Sequence, residues 1–180
     1  MNNLERLTIV IPTYNRKEYA LRAMRFWNDK DVQVHFMDGS DEPIEENELK
    51  FLSPNIHYHY GPNDLYKRIY KSVDLVKTDF AALLSDDEFF IPESIDLCIK
   101  ELDENSDLVS CVGEVFGFNI RKGKVLGFPV YGGFVDYKVD FTDPLERINF
   151  HMNQKYLQTT LYAVSRTDPW KKVIKSIFSK

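Results

Sequence analysis

The chain has 180 residues, about one domain's length. Its 43% hydrophobic and 28% charged residues are those of a globular protein with ample material for a core. With 23 Lys and Arg against 28 Asp and Glu, the formal charge of −5 argues against a nucleic-acid binder, which would be basic. The apolar runs fall short of the roughly 18 residues needed to span a bilayer. Cys98 and Cys111 supply neither a disulfide framework nor metal-ligand spacing. The expectation is a soluble, cytoplasmic protein.

The first half alternates strands and helices. LTIVI (7–11) reads as a buried strand ended by Pro12, and Ala20, Ala23, Met24 and Trp27 then recur at helical spacing. VQVHFM (32–37) and NIHYHY (55–60) read as strands, and Leu65, Ile69, Val73 and Val76 as the stripe of a second helix. DFAALLS (79–85) is the most apolar strand. Pro92 opens a helix with the stripe Ile95, Cys98, Ile99 and Leu102. Strands separated by helices predict an α/β fold: a mostly parallel sheet flanked by helices.

From about residue 108 the pattern changes. LVSCVGEVFGFNI, KVLGFPV and GGFVDYKVDF read as short strands in a segment holding six of the eight glycines. Leu145, Ile148 and Met152 predict a short helix opened by Asp143-Pro144. YLQTTLYAVS (156–165) reads as a strand. Trp170, Val173, Ile174 and Ile177 predict the buried face of a last helix, capped by Thr167 or Asp168 with Pro169 just inside. The expected organisation is one domain in two halves, 1–107 and 108–180.

Ligands of an open parallel sheet bind beyond the carboxyl ends of its strands. There the sequence places Pro12, Thr13, Tyr14, Asn15 and Arg16 after the first strand, Asp38 to Asp41 after the second, and Ser85 to Glu88 after the fourth. Three adjacent carboxylates, Asp86, Asp87 and Glu88, against an apolar background call for a compensating cation; an acidic loop leading into the next helix accounts for them equally well. Asp38 can accept from a base N–H or a ribose hydroxyl, although Asp-Gly is also ordinary turn chemistry. The first glycine is Gly39, so the first strand–helix junction holds neither G-x-G-x-x-G nor a P-loop. His57 and His59 share a strand face without a third ligand at a recognisable spacing.

Together, LTIVIPTYNR, FMDGSDE and FAALLSDDEFFIPESI resemble the nucleotide-binding half of a GT-A glycosyltransferase of the inverting family 2 group, over residues 7 to about 102. The resemblance implies transfer of a sugar from a nucleoside diphosphate sugar, UDP-linked, to a glycan or lipid-linked acceptor, with a divalent metal, Mn²⁺ or Mg²⁺. It implies that Pro12, Thr13, Tyr14, Asn15, Arg16, Asp38, Arg68 and Asp86 line the nucleotide and that Asp87 binds the metal. Ser85 stands where the family's first Asp often lies, a departure from its pattern. The catalytic base is expected in the second half, where Asp136, Asp140, Asp143 and Glu146 are candidates outside any alignable motif.

Competing readings are a sugar-nucleotide pyrophosphorylase, whose glycine- and arginine-rich loop PTYNRKEY does not supply; a metal-dependent phosphotransferase; and a non-catalytic nucleotide-sugar-binding or scaffold domain. Residues 151–180 carry six basic and one acidic side chain against 17 and 27 before them. Lys171, Lys172 and Lys175 are thus candidates for weak contact with an anionic membrane surface, at the inner face.

Overall fold

A computed structural model describes residues 3–130, 137–153 and 158–178. Two compact units form: Met1–Cys111 with Val164–Lys180, and Val112–Ala163. The compositional change near residue 108 thus falls beside a unit boundary, and the C-terminal segment belongs to the first unit.

The first unit is built on a six-stranded sheet: β1 (Leu7–Thr13), β2 (Gln33–Asp38), β3 (Ile56–Tyr60), β4 (Phe80–Leu83), β5 (Ser110–Cys111) and β8 (Val164–Arg166), ordered β3-β2-β1-β4-β8-β5. The first four strands are parallel and β8 runs antiparallel to both neighbours. The predicted α/β class, a mostly parallel sheet flanked by helices, is what forms.

The helices α1 (Lys17–Trp27), α2 (Leu65–Ser72), α3 (Pro92–Glu104) and α5 (Thr167–Phe178) cover the sheet. Alternation along the strands sends Leu7, Ile9, Ile11, Val34 and Phe36 to one face, against Ala20, Met24 and Trp27 of α1 and Ile95, Ile99 and Leu102 of α3. Val10, Met37, Ala81 and Leu83 face the other way, against Ile69, Val73, Val76, Trp170 and Ile174. Asp64 caps α2 by accepting the Lys67 amide at 3.1 Å.

Several expectations change. Pro12 does not end β1, which runs on to Thr13. The Val10 carbonyl accepts from Leu84 on the β4 side, and the Thr13 carbonyl from Gly39 on the β2 side. The Pro12 nitrogen therefore points toward β4, whose pairing stops at Val10–Leu83, so its missing N–H costs no ladder bond. Of the strand expected over 156–165, residues 156 and 157 lie outside the described residues, and the rest narrows to β8, Val164–Arg166. Gln158–Tyr162 forms a 3₁₀ turn, because β8 has only Phe80–Ala81 on one side and Ser110–Cys111 on the other to pair with. The α2 stripe is cut short: the helix stops at Ser72, and Leu65 is exposed.

The last helix buries Trp170 and Ile174 but leaves Val173 and Ile177 exposed. The surface it meets, around Val73 and Val76, takes one stripe and not two. Thr167 does not cap through an accepting side chain; its hydroxyl donates to the Thr78 carbonyl at 2.8 Å and pins the helix start to the sheet.

The second unit holds an antiparallel hairpin, β6 (Phe116–Arg121) and β7 (Lys124–Pro129), and helix α4 (Pro144–Asn153). Lys122 and Gly123 turn the hairpin with positive φ of 48° and 72°. Leu145, Ile148 and Met152 of α4 are exposed. The strand expected at 132–141 lies in part outside the described residues, and Tyr137–Phe141 is not a strand.

Candidate functional site

Strand order reverses between β1 and β4: the chain leaves β1 toward β2 and β3, then crosses back to β4. Ligands of such a sheet bind outside the carboxyl ends at the reversal of strand order, where Thr13 and Arg16 after β1 are bonded to Asp86 and Asp87 after β4. Thr13 to Arg16, Asp38 to Asp41 and Ser85 to Asp87 meet on this rim.

Asp38 ends β2 with its side chain buried. Its Oδ1 accepts from the Ser40 amide at 2.8 Å and the Ser40 hydroxyl at 2.5 Å, and its Oδ2 from the Tyr58 phenol at 2.6 Å. Burial, then the bond to Asp38, pushes the Tyr58 phenol pKa up, so it remains a donor.

Arg68, 3% exposed, lies against Gly39. It donates to the carbonyls of Met37 (3.2 Å), Pro62 (2.8 Å) and Thr13 (3.4 Å), joining the ends of β1 and β2 to the loop after β3. Burial lowers its pKa, against the opposing charge of Asp38. A Cβ at Gly39 would fall 1.8 Å from Arg68 Nη1, so only glycine lets the backbone pass over the guanidinium.

The loops after β1 and β2 are stitched together. Asn15, at φ 52°, donates through its amide to Ser40 Oγ at 2.8 Å and through Nδ2 to Asp41 Oδ2 at 2.9 Å, and it accepts from the Asp41 amide at 3.0 Å. Tyr14 donates weakly to Asp41 at 3.4 Å, and its hydroxyl accepts from Asn63 at 3.1 Å, which leaves the ring exposed.

After β4, Asp86 is buried and its Oδ2 accepts the Thr13 hydroxyl at 2.7 Å. Burial raises its pKa against the pull of Thr13 and Arg16. Arg16 Nη1 lies 3.0 Å from Asp86 Oδ1, and Nη2 donates to Asp87 Oδ2 at 2.7 Å. Ser85 donates to Asp87 Oδ1 at 2.6 Å. Burial would raise the Asp87 pKa, but Arg16 and Ser85 hold it below the usual carboxylate range.

Residues 8–168 match the sequence profile described as glycosyl transferase family 2. The chain belongs to that family. No curated protein matches it significantly in sequence. Among solved structures it resembles TarS of S. aureus at 18% identity and TM-score 0.45, over 65% of this chain and 23% of that one. It also resembles a Pyrobaculum calidifontis mannosyltransferase, solved with GDP-Man and Mn²⁺, at 11% identity and TM-score 0.44, over 58% and 34%. A CMP:2-keto-3-deoxy-manno-octonic acid synthetase with CTP matches at 13% identity and TM-score 0.39, over 59% and 51%. The chain spans about half or less of the length of these structures, and the family assignment rests on the profile.

For a family 2 chain the question is whether the acidic loop suits a cation. Among the described residues no group of three or more His, Cys, Asp or Glu is arranged to hold a metal. Yet Asp86 Oδ1 is buried without a hydrogen bond, its partner being the Arg16 guanidinium 3.0 Å away, and the Asp87 pKa beside it is held low. Two carboxylates and a hydroxyl suit a hard ion that completes its shell with water and phosphate oxygens. The donors fit.

In the second unit Asp140 pairs with Lys138 at 2.8 Å, which holds its pKa low. Asp143 caps α4 through the Leu145 amide at 2.8 Å. Glu146 lies exposed in the first turn, and Asp136 lies outside the described residues. Tyr58 and Asn63 escaped sequence reasoning. Tyr58 reads as one more aromatic of an edge strand, and only the β2–β3 register, which sets it opposite Phe36 and two residues short of Asp38's partner Tyr60, brings its hydroxyl to Asp38. No helix among the described residues is long and apolar enough to cross a membrane.

Proposed function

We propose that this chain binds a nucleoside diphosphate sugar, UDP-linked, along this rim and transfers the sugar to an acceptor hydroxyl on a glycan or lipid-linked molecule. The observation that carries the reading is the rigid, buried carboxylate of Asp38 on one side of the strand reversal, with the Asp86–Asp87 pair on the other. Asp38 Oδ2 accepts one hydrogen bond, from Tyr58, so its second lone pair supports a uracil N–H, and the exposed Tyr14 ring supports an apolar contact with the base. Thr13 and Asn15 set the shape of the floor, and Arg68 holds the strand ends beneath.

Asp87, with Asp86, would hold the divalent cation, which when bound neutralises diphosphate charge and eases departure of the nucleotide. The acceptor oxygen attacks the anomeric carbon from the face opposite the diphosphate as the bond to the nucleotide breaks, and a carboxylate takes the acceptor proton. Asp136, Asp140, Asp143 and Glu146 stay the candidates from the sequence.

A second reading, a non-catalytic nucleotide-sugar-binding domain, draws support from the engagement of Asp140 and Asp143. Calorimetry with UDP, with and without Mn²⁺, tests the site: Mn²⁺ strengthens binding in the wild type and not in Asp87→Asn. Equal affinity with and without the ion removes the metal. Release of UDP from a UDP-sugar in the presence of acceptor, against binding alone, separates the two readings.

A further inference from the structure

Arg16 stands where helix physics does not ask for an arginine. It directly precedes α1, its carbonyl accepts the amides of Tyr19 and Ala20 at 2.9 and 3.0 Å, and its side chain makes no capping bond. A cation there meets the positive end of the helix dipole, which is unfavourable. Its guanidinium instead reaches Asp86 Oδ1 and Asp87 Oδ2, 3.0 and 2.7 Å away. The guanidinium carbon sits 4.3 Å from the centre of the Tyr19 ring.

The two oxygens it meets are those left over after Thr13 has taken Asp86 Oδ2 and Ser85 has taken Asp87 Oδ1. They are the two oxygens of the pair that carry no hydroxyl hydrogen bond. Asp86 Oδ1 meets Arg16 as charge alone: it is buried and accepts no hydrogen bond. The ion pair with Arg16 is therefore what compensates this buried oxygen.

We propose that Arg16 is an internal rival of the divalent cation: its guanidinium holds the cation's place between Asp86 and Asp87 while nucleotide is absent, and gives it up when the diphosphate and metal arrive. This rests on the reading of Asp87 as a metal carboxylate. A divalent ion bonds carboxylate oxygen at about 2.1 Å for Mg²⁺, so an ion and a guanidinium gathered on the same two oxygens repel each other. The Arg16 side chain is 39% exposed and can swing. Once displaced, its planar fork matches two phosphate oxygens and brings a second positive charge to the leaving group. Metal and nucleotide then favour the same Arg16-out state, so each tightens the other, by the same factor in both directions.

The test is Mn²⁺ binding to the full chain, read by electron paramagnetic resonance without and with UDP, in wild type, Arg16→Gln, Arg16→Lys and Asp87→Asn. Without UDP, Arg16→Gln binds Mn²⁺ at least about tenfold tighter than wild type, the equivalent of about 1.4 kcal/mol. Arg16→Lys, which keeps the charge, stays near wild type, and Asp87→Asn loses the ion. UDP tightens Mn²⁺ binding in the wild type by a larger factor than in Arg16→Gln. If Arg16→Gln binds Mn²⁺ no tighter than wild type while Asp87→Asn loses it, the rivalry is overturned and the metal reading stands. If wild type and Asp87→Asn bind Mn²⁺ alike, or neither binds it even with UDP, the metal reading falls and takes the rivalry with it. Thermal melts of each variant report folding, and Arg16→Ala replaces Arg16→Gln if the latter does not fold.

Discussion

The Tyr58 phenol donates to Asp38 Oδ2 at 2.6 Å while its oxygen accepts the Ile44 amide at 2.9 Å. One hydroxyl thus fixes both the carboxylate at the end of β2 and the loop beyond it. Tyr58→Phe removes the donor and strands an amide. We expect a stability loss of about 1–3 kcal/mol and roughly tenfold weaker UDP binding as the carboxylate loses its orientation. Thermal melts and calorimetry check the two parts separately. Unchanged UDP affinity would mean that Asp38 does not touch the nucleotide.

The contact between Gly39 and Arg68 makes a second test. Gly39→Ala drives a methyl into a guanidinium already bonded to three carbonyls. The expected cost is about 2 kcal/mol or more. In an Arg68→Ala background the methyl has room, so the two losses do not add. Additive losses in a double-mutant melt would show that the clash relaxes elsewhere.

His35 supplies a pH dependence. It is bonded to His59 at 2.9 Å and stacked on His57 with 4.5 Å between ring centres. Burial, with the charges of His57 and His59 adding to it, lowers its pKa from 6.5 to about 4. A base depressed in the folded state takes up its proton later than in the unfolded chain. Stability is therefore full above about pH 6.5 and falls as pH drops toward about 4, by roughly 3 kcal/mol at the lower end. His35→Gln should flatten melting temperature over that window, and a slope unchanged from wild type would locate the titration elsewhere.

On α5, exposed Lys172 and Lys175 accompany exposed Val173 and Ile177, with Lys171 half-buried. Each basic residue near an anionic surface contributes about 1 kcal/mol, enough for weak, salt-sensitive docking. We expect co-sedimentation with vesicles containing anionic lipid at low salt, abolished at high salt and in a Lys172→Glu, Lys175→Glu double variant. A chain that stays in the supernatant at low salt leaves these lysines as ordinary surface charge.

The parallel half of the sheet was legible because its signals are local. Short β-branched runs, a 3.6-residue stripe and Pro92 at a helix start each report their own element. The rim was legible for the same reason: the residues just after a parallel strand lie at its carboxyl end. Tyr58 and the three-carbonyl seat of Arg68 were not, since both depend on registers between segments distant in sequence. The stretch 156–165 misled because its alternation is that of a strand, whereas the length of β8 is set by the neighbours it must pair with. Val173 and Ile177 misled because periodicity gives the apolar side of a helix but not the width of the surface it meets.

Cys111 of β5 and Val164 of β8 are antiparallel partners. The chain leaves the sheet at one residue and re-enters beside it, so residues 112–163 form an excursion whose two ends are already clasped together. Such an arrangement lets evolution treat the excursion as a replaceable cassette. Its length and sequence can drift, or be exchanged between relatives, with little penalty to the six-stranded sheet. It also imposes an order on synthesis: β8 emerges from the ribosome only after the whole cassette, so the nascent sheet waits for its last strand, and a stop codon within the excursion would leave β4 as the edge of the sheet and β5 without the strand it pairs with.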